Sequence, residues 1–409
     1  MEITRSIYIH IPFCETKCPY CDFNTYASIE PLITSYVVAL KKELTIWGTS
    51  LGIPSIDTVF IGGGTPSYLP SEEIKGLVAT LHKNFDITKD AEITLESNPD
   101  DLTESKLTSL KEAGINRLSI GVQSLNDKLL TTLGRRHSAK DAISVYQRAR
   151  CMGFGNISLD LMYGLPHQSI EIWDSTLTQV FDLKPDHLSM YCLTLEDGTP
   201  MQKNVRNGIL PKPDVDLAAD MYVMAQEKAS QLDYQHYEIS NWSLLGKESQ
   251  HNLIYWQNKP FLGVGPGAHS YLQNHRFHNI KSPKQYIKYL NQTPQELNCT
   301  TISSSTDNSS NTQILSQQFI PTDLKPIIQD VEMISLPLEM AETIMMGLRL
   351  SSGIYHQEFI LRFGNTIQDT YPQIIKDLVE DKLIQVNSVS VKLTDKGRIL
   401  GNEVFAKFF

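Results

Sequence analysis

The first part of the chain alternates between short apolar segments rich in β-branched residues and longer segments in which apolar residues recur at helical spacing. The predicted strands are 6–10, 58–61, 92–96, 117–123, 157–162 and 187–193. The predicted helices between them are 31–47, 72–85, 104–113, 139–152 and 170–183. Because repeated βα units build parallel sheets, this order predicts an α/β fold.

Three polar side chains interrupt the apolar strands at or near their C-terminal ends, namely Glu96, Gln123 and Asp160. An isolated acid on a buried strand costs free energy unless it has a partner, so these positions indicate ligand binding. Barrel enzymes assemble their sites from many strand ends, whereas an open doubly wound sheet binds its ligand at one switch point. The distribution therefore favours a partial (β/α)6 TIM-like barrel over an open sheet.

Changes in composition predict where the domains begin and end. We predict a core domain over residues 1–225, followed by a barrel extension rich in Tyr, Trp, Asn and Gly over 226–295. A polar linker or insertion is predicted over 296–330, because residues 296–313 are crowded with Ser, Thr and Asn. Residues 331–409 contain helical segments and a hairpin pattern, which together predict a C-terminal winged-helix-like α+β domain.

Composition and charge limit the function classes that fit the chain. With 409 residues, of which 41% are hydrophobic and 20% charged, the chain is long enough for two or three globular units. The net charge of −10 disfavours nonspecific binding to nucleic acid, and the predicted helix 371–381 is acidic rather than basic. No apolar run approaches the roughly 18 residues of a membrane span, and no export or organelle signal is visible. We therefore expect a cytoplasmic protein that does not bind nucleic acid.

Three of the six cysteines lie in one short loop, Cys14-Glu-Thr-Lys-Cys18-Pro-Tyr-Cys21, directly after the first predicted strand. In a reducing compartment such a cluster indicates a metal site and not disulfides. Thiolates prefer zinc, copper(I) or an iron-sulfur cluster. A structural zinc ion needs a fourth ligand, which His10 could supply, so zinc stays an alternative. On a four-iron cluster, three thiolates would leave one iron open to another ligand.

The cysteine loop and the second strand together resemble a known superfamily. A Cys-x-x-x-Cys-x-x-Cys loop after the first strand, with Gly62-Gly-Gly-Thr-Pro66 at the end of the second, is similar to the radical S-adenosylmethionine superfamily. The resemblance implies a 4Fe-4S cluster bound by Cys14, Cys18 and Cys21. It also implies that the methionyl amino and carboxylate groups of S-adenosylmethionine bind the open iron, where electron transfer into the sulfonium can release a deoxyadenosyl radical.

The same resemblance implies which residues bind S-adenosylmethionine. Tyr8 would lie near the cluster, and Gly63, Gly64 and Thr65 would bind the methionyl end. The further positions that it implies are Glu96, Gln123, Arg135 and Asp160, with the carboxylates on amino and ribose hydroxyl groups and Arg135 on the ligand carboxylate. Two of these assignments have alternatives, because Tyr8 also fits a core position on its strand and Arg136 could take the role of Arg135.

Further segments resemble one family within this superfamily over almost the whole chain, including the C-terminal domain. That family is the oxygen-independent coproporphyrinogen III oxidase family. The segments that resemble it are Tyr8-Ile-His-Ile-Pro-Phe-Cys14, Asp160-Leu-Met-Tyr-Gly-Leu-Pro166, Tyr237-Glu-Ile-Ser-Asn241 and Gly347-Leu-Arg-Leu350. Within that family, His251-Asn-Leu-Ile-Tyr-Trp256 resembles the H-N-x-x-Y-W signature of the HemW branch, whose members are regarded as haem chaperones.

Two departures from the oxidase pattern favour the HemW branch. The oxidases carry another cysteine two positions after the third, where this chain has Phe23, and a long arm before the first strand, where only a few residues precede Tyr8. The resemblance therefore implies a haem chaperone that delivers haem to an acceptor protein, which the sequence does not identify. Radical oxidation of a porphyrinogen is the alternative, and whether the chain is an enzyme stays open at this point.

A haem site needs an axial ligand and an apolar wall for the porphyrin. His251, with Tyr255 and Trp256 close by in the chain, could furnish both, although a histidine beside aromatic residues is also a common packing element. No Cys-x-x-Cys-His segment occurs, so covalent haem attachment is not indicated. We therefore take His251 as the candidate haem ligand.

Overall fold

The computed structural model describes residues 4–291 and 319–409, which form two compact units. Unit 1 is drawn from Met1–Lys17, Asp22–Asn116 and Pro260–Met333. Unit 2 is drawn from Cys18–Cys21, Arg117–Lys259 and Ile334–Phe409. The polar stretch 296–313 lies outside the described residues, and the domain boundaries inferred from composition stay predictions.

Strands and helices alternate along most of the described chain. The strands are β1 (Ser6–Ile11), β2 (Ser55–Gly63), β3 (Asp86–Ser97), β4 (Arg117–Gln123), β5 (Ile157–Tyr163), β6 (His187–Cys192), β7 (Gln235–Glu238), β8 (Asn241–Ser243), β9 (Leu262–Val264), β10 (His269–Leu272), β11 (His275–Asn279), β12 (Ile328–Met333), β13 (Ile354–Tyr355), β14 (Ile384–Val386) and β15 (Ser390–Leu393). The helices are α1 (Ile33–Ser50), α2 (Ser71–Asn84), α3 (Glu104–Glu112), α4 (Asp127–Thr132), α5 (Ala139–Cys151), α6 (Ile170–Asp182), α7 (Pro200–Arg206), α8 (Val215–Ser230), α9 (Gln250–Trp256), α10 (Pro283–Asn291), α11 (Leu336–Gly347), α12 (His356–Phe363), α13 (Ile367–Thr370), α14 (Pro372–Glu380), α15 (Asp395–Ile399) and α16 (Gly401–Phe405).

The main sheet of unit 1 is parallel and has the strand order β3-β2-β1-β9. Ile9 of β1 lies between Ile61 of β2 and Val264 of β9, and all three side chains are buried. Helix α1 contacts α2 and α10, and α2 contacts α3. The loops that follow β1, β2 and β3 leave the same edge of the sheet, because the strands are parallel. Strands β10, β11 and β12 form a separate antiparallel sheet.

The main sheet of unit 2 has the strand order β4-β5-β6-β8-β7. Strands β4, β5 and β6 are parallel, whereas β8 and β7 are added in antiparallel pairs. Asp160 of β5 is paired with Gly121 on one side and with Ser189 on the other. This register places Asp160 beside Ser189, so polar residues of two neighbouring strands lie at one level of the sheet.

The C-terminal part of unit 2 is a small α+β domain. Strands β13, β15 and β14 form an antiparallel sheet in that order. The domain has its own apolar core, which includes Ile344 of α11, Phe359 of α12, Ile375 of α14 and Val391 of β15. No helix in residues 4–291 and 319–409 is long and apolar enough to cross a membrane.

The predicted α/β fold with parallel strands and a C-terminal α+β domain is confirmed. Strand β4 coincides with the predicted segment 117–123, and the other five predicted strands are all present. Strand β3, however, begins at Asp86 rather than at Glu92. Its first five residues are mostly polar and none of them is buried, and they extend the strand by pairing with β2 from Ser55 onward. A hydrophobic pattern cannot show such an extension, because it depends on backbone pairing and not on burial.

A buried carboxylate joins α1 to the C-terminal segment of unit 1. The Glu43 side chain accepts hydrogen bonds from the Gly265 amide (2.9 Å) and from Asn279 Nδ2 (2.7 Å), and the Tyr286 hydroxyl also donates to it. Burial raises the pKa of Glu43, and these hydrogen bonds lower it only in part. The pKa of Glu43 is thus higher in the folded chain than in the unfolded one. As the pH rises through the interval between these two pKa values, ionisation of Glu43 lowers the free energy of unfolding.

Replacement of Glu43 by alanine is expected to lower the free energy of unfolding by about 3 kcal/mol or more, because three buried donors lose their acceptor. The measurement is urea unfolding followed by circular dichroism. Glu72→Ala on α2 is the matched control, because its side chain is 86% exposed, and its effect is expected to stay within about 0.5 kcal/mol. A Glu43→Ala protein as stable as the control would contradict this role.

Candidate functional site

The cysteine loop begins in unit 1 and is fixed there to the end of β2. Cys14 is buried, and its amide donates to the Tyr26 carbonyl (3.0 Å). The hydroxyl of Thr65, just after β2, donates to Cys14 Sγ (3.5 Å), and the Thr65 amide donates to the Phe13 carbonyl (2.8 Å). The position of the first cysteine is therefore set by the strand that precedes it and by the turn after β2.

The glycines at the end of β2 allow this close approach. A Cβ on Gly64 would lie 2.6 Å from the Phe13 carbonyl oxygen and 3.1 Å from Cys14 Sγ. A Cβ on Gly63 would lie 2.4 Å from His10 Nδ1, and the φ angle of Gly63 is +109°. Both positions therefore require glycine for lack of space, and Gly63 also requires it for backbone conformation.

Tyr8 and His10 lie two residues apart on β1 and share a hydrogen bond. The Tyr8 hydroxyl is 2.9 Å from His10 Nδ1, and His10 Nε2 is 2.9 Å from the Asn24 carbonyl oxygen. Burial lowers the pKa of His10, which favours the neutral ring. A neutral ring accepts from Tyr8 at Nδ1 and donates to Asn24 at Nε2. Zinc ligation by His10 would therefore break one of these two hydrogen bonds.

A cavity of about 530 Å³ in unit 1 is lined in part by Tyr8, His10, Gly63 and Glu96. The Gly63 amide donates to Glu96 Oε2 (2.8 Å), and the two amides that follow it donate to main-chain carbonyls. A ligand bound at the end of β2 would therefore meet mainly carboxylate and carbonyl oxygen atoms. Oxygen acceptors suit an ammonium group, such as the amino group of a methionyl moiety.

In unit 2, an arginine contacts the second cysteine of the loop. Arg135 Nη1 lies 3.6 Å from Cys18 Sγ, and Arg135 Nη2 donates to the Gly121 carbonyl (2.7 Å). Burial lowers the pKa of Arg135, but Tyr20 and Cys18 outweigh that effect and raise it. Arg135 therefore stays charged beside the thiol, whereas Arg136 is exposed. Of the two arginines, Arg135 is the one in hydrogen-bond contact with a loop cysteine.

Gln123, at the end of β4, has an unusual backbone conformation. Its φ angle is +67°, in the left-handed region that non-glycine residues rarely adopt. The register between β4 and β5 shifts just before it, between Gly121 and Gln123. Strained conformations of this kind persist only where the surroundings enforce them, and they concentrate at binding sites.

Asp160 is held by serine hydroxyls from its own and neighbouring strands. Ser119 Oγ lies 3.1 and 2.9 Å from the two carboxylate oxygens, and Ser158 Oγ lies 3.1 Å from Oδ1. Burial raises the pKa of Asp160, while hydrogen bonds, first of all from Ser189, and the charge of Arg117 lower it in part. The carboxylate is therefore fixed in orientation, as a residue that binds vicinal hydroxyl groups would need to be.

A chain of buried hydrogen bonds continues from these serines. Ser158 Oγ lies 2.8 Å from His187 Nδ1, and His187 Nε2 lies 2.8 Å from the Tyr237 hydroxyl, which accepts from the Ser249 amide (3.3 Å). Burial keeps the pKa of His187 well below its usual value. These partners were not predicted from the sequence. The alternation of Ser158 and Asp160 on one strand face was the one available signal.

His251 lies on α9 and is completely buried. Its Nε2 is 2.8 Å from the hydroxyl of Tyr255, one turn further along the helix, and the two rings meet edge to face. Burial lowers the pKa of His251 to about 3. Iron ligation by His251 Nε2 would have to displace Tyr255 and open this part of unit 2, and the assignment stays a prediction.

The last residue of the same motif joins α9 to the neighbouring elements of unit 2. The guanidinium of Arg349 lies over the Trp256 ring, with Cζ 4.4 Å from the ring centroid. Arg349 also lies 3.7 Å from the buried carboxylate of Glu238 on β7. The H-N-x-x-Y-W segment thus packs against other elements of unit 2 and has a structural role there.

The loop cysteines have surroundings that fit an iron-sulfur cluster. Cys14, Cys18 and Cys21 are not joined in disulfides, and hydrogen-bond donors contact the sulfurs of Cys14 and Cys18. Hydrogen bonds to the ligand sulfurs are typical of such clusters and tune their potential. Within the two described ranges, no three His, Cys, Asp or Glu side chains converge on a position for a single metal ion. A four-iron cluster does not need such convergence, because each thiolate binds a different iron.

The predicted site residues fall into two groups. Unit 1 contains Tyr8, Cys14, Gly63, Gly64, Thr65 and Glu96, and unit 2 contains Cys18, Cys21, Gln123, Arg135, Asp160 and His251. In unit 1 the structure brings Cys14, the glycines and Glu96 together at the end of β2. In unit 2 it brings Arg135 to Cys18, and it buries His251 in a separate contact with Tyr255.

Comparisons with known proteins identify the superfamily and the C-terminal domain. The sequence pattern of the Radical SAM superfamily matches residues 8–180, and that of the HemN C-terminal domain matches residues 334–400. Coproporphyrinogen III oxidase (HemN) from Escherichia coli, a solved structure, is similar with a TM-score of 0.78 over 98% of this chain and 89% of that chain. At 23% identity this likeness concerns the fold, and it confirms the predicted fold of the radical SAM type with its C-terminal domain.

Two relatives match along nearly their whole length. The chain is 36% identical over 405 residues to a protein of Bacillus subtilis (strain 168) named "Heme chaperone HemW", which covers 99% of both chains. It is 33% identical over 408 residues to the protein of the same name from Lactococcus lactis subsp. lactis (strain IL1403), which covers 100% of this chain and 98% of that one. The chain therefore belongs to the HemW family of the radical S-adenosylmethionine superfamily.

Proposed function

We propose that this chain is a cytoplasmic haem chaperone that holds a 4Fe-4S cluster and S-adenosylmethionine, binds haem as its cargo and passes it to an acceptor protein. The observation that carries the proposal is the 36% identity to a haem chaperone over 99% of both chains. A likeness of that length includes the C-terminal domain and the cysteine loop together. The acceptor is a protein of unknown identity, and neither nucleic acid nor a membrane is needed as a partner.

In this proposal Cys14, Cys18 and Cys21 hold the cluster, which supplies one electron and an open iron when bound. The hydroxyl of Thr65 and the guanidinium of Arg135 donate toward two of the ligand sulfurs. Such donors stabilise the reduced cluster by offsetting the negative charge on the thiolates. The chain's own contribution is thus to fix the sulfurs and to adjust the cluster potential.

S-adenosylmethionine is assigned to the strand ends. Glu96 and the main chain around Gly63 receive the methionyl amino group, with Gly64, Thr65 and Tyr8 beside it. The guanidinium of Arg135, which donates to Cys18 and to Gly121, is assigned to the ligand carboxylate through its positive charge. Asp160, oriented by its serines, receives the ribose hydroxyls, and Gln123 completes the set from the end of β4.

Phe23 favours haem handling over oxidation of a porphyrinogen. It occupies the position at which the oxidases carry a further cysteine, and a phenyl ring can neither donate a proton nor bind a metal ion. Phe23 also lines the cavity that Tyr8 and Glu96 line. An apolar ring at this place suits contact with a porphyrin face.

The cluster assignment predicts the composition of the protein. Anaerobic reconstitution is expected to give about four iron and four sulfide ions per chain, and alanine at Cys14, Cys18 or Cys21 is expected to remove most of both. Chemical analysis of iron and sulfide is the measurement. Cys151→Ala serves as the control, because Cys151 is an exposed free thiol outside the loop. Zinc without sulfide in protein purified without oxygen would contradict the assignment.

The two neighbouring arginines are expected to differ in their effect on S-adenosylmethionine. Arg135→Ala should weaken binding at least about tenfold, or about 1.4 kcal/mol, because a charged hydrogen bond to the ligand carboxylate is lost. Arg136→Ala, at an exposed position, should leave the affinity unchanged. Titration calorimetry on reconstituted protein measures the affinity of both variants. The reduction potential of the cluster should fall in Arg135→Ala and stay unchanged in Arg136→Ala. Equal effects of the two substitutions would disprove the role of Arg135.

The chaperone function is tested by supplying cargo and substrate separately. The reconstituted protein is expected to bind haem in a titration followed by absorbance and to pass it to apomyoglobin added afterwards. When incubated anaerobically with coproporphyrinogen III, dithionite and S-adenosylmethionine, it is expected to form no protoporphyrinogen. Formation of protoporphyrinogen would make the chain an oxidase, and failure to bind haem would refute the proposed function.

A further inference from the structure

The cavity of unit 1 has lining residues that no role in binding S-adenosylmethionine accounts for. Among them are Lys17, Phe23, His269 and Lys281. Phe23 is 64% exposed, so a flat aromatic face is open to a ligand at the cavity. Planar apolar ligands bind to such faces by stacking or edge contacts. These residues form a surface with an aromatic ring, an imidazole and positive charge.

Of the two histidines that line the cavity, only one is accessible. His10 is buried, and each of its ring nitrogens already has a hydrogen-bond partner. His269, the first residue of β10, is exposed. His251, the candidate from the sequence, lies in unit 2 and is buried with its Nε2 at the Tyr255 hydroxyl. An iron ligand must reach its metal ion, and His269 meets this requirement without rearrangement.

The hairpin of β10 and β11 positions the His269 ring. His269 is paired with His278 across the two strands, and the ring centroids lie 5.0 Å apart. His278 Nε2 is in turn 2.9 Å from Asp330 Oδ2. His269 also lines the cavity, so the hairpin holds its imidazole where a ring nitrogen can reach a bound ligand.

Two further effects suit metal binding. Burial of part of the ring lowers the pKa of His269, and the charges of His278 and Lys281 lower it further, so the imidazole is neutral near pH 7. Neutral imidazole is the form that binds iron.

We infer that haem binds in the cavity of unit 1, with a ring nitrogen of His269 as axial ligand of the iron and Phe23 against the porphyrin face. This inference rests on the proposed haem chaperone function and adds to it the iron ligand and the binding surface. The cavity volume of about 530 Å³ lies within the roughly 300–1,000 Å³ of small-molecule pockets. Haem would thus lie beside Tyr8, Gly63 and Glu96, the residues of unit 1 that line the same cavity and are assigned to S-adenosylmethionine.

The charges around His269 fit the two propionate groups of haem. Lys281 lines the cavity, and Arg276 is close enough to affect the pKa of His269. The Lys17 ammonium, which donates to the Phe23 carbonyl (2.9 Å), adds positive charge beside the aromatic ring. Asp22 and Glu96 also line the cavity, and they are the acidic groups that the propionates would have to avoid.

The test compares single substitutions in the full-length, reconstituted protein titrated with haem. His269→Ala is expected to remove the absorbance spectrum of histidine-ligated haem and to weaken binding at least about tenfold. His269→Cys is expected to retain binding and to shift the main absorption band toward that of thiolate-ligated haem. His82→Ala, at an exposed position on α2, is the control and should behave like the native chain. His251→Ala tests the rival ligand, and circular dichroism reports on folding.

The results distinguish the assignment of the iron ligand from the proposed chaperone function. Native protein that binds haem, with an unchanged spectrum in both His269 variants, overturns the inference but leaves the chaperone function standing. Loss of the histidine-ligated haem spectrum in His251→Ala, but not in His269→Ala, assigns the iron ligand to unit 2 and likewise overturns the inference. Native protein that binds no haem refutes the proposed function itself. Should His269→Ala fail to fold, the band position in His269→Cys decides the assignment.

Discussion

The close approach of the β2 end to the cysteine loop is the constraint on which the site in unit 1 depends. A side chain on Gly63 would collide with His10, and one on Gly64 would collide with the Phe13 carbonyl and with Cys14 Sγ. Because the two backbones can approach so closely, main-chain amides reach across, and the Thr65 hydroxyl reaches the Cys14 sulfur. The place of Cys14 is thus fixed by hydrogen bonds of the backbone and of the Thr65 hydroxyl. This explains why the thiol loop and the glycine turn occur together.

Much of this site could be predicted from the sequence, because chemistry or backbone geometry restricts the residue type at each position. A cluster of three cysteines has few uses in a reducing compartment, and Gly63 and Gly64 fill positions where a Cβ does not fit. The strands of the core could be predicted because parallel strands are buried on both faces and form continuous apolar runs. The superfamily and the HemW branch followed from motifs, and the full-length relatives confirm them.

The partners of buried polar groups could not be predicted, because they depend on register and on contacts between distant segments. Glu43 looks like a surface acid of an amphipathic helix, yet its partners lie 222 to 243 residues further along the chain. The serines around Asp160 converge only once β4 and β5 are in register. His251 is a different case, and its assignment as haem ligand stays a prediction. Aromatic neighbours in the sequence indicated a ligand site, while helical geometry places the Tyr255 hydroxyl on its Nε2.

The order of segments in unit 1 has a consequence for synthesis on the ribosome. Strand β9 and the partners of Glu43 come from residues 262–286, after the whole segment Arg117–Lys259 of unit 2 has been translated. At roughly 5–20 residues per second, translation of that intervening segment takes on the order of ten seconds. During this time β1 of the nascent chain lacks its partner β9, and the Glu43 carboxylate lacks its three hydrogen-bond donors. The emerging polypeptide is therefore open to intermolecular strand pairing, and the speed of elongation helps to set the yield of native protein.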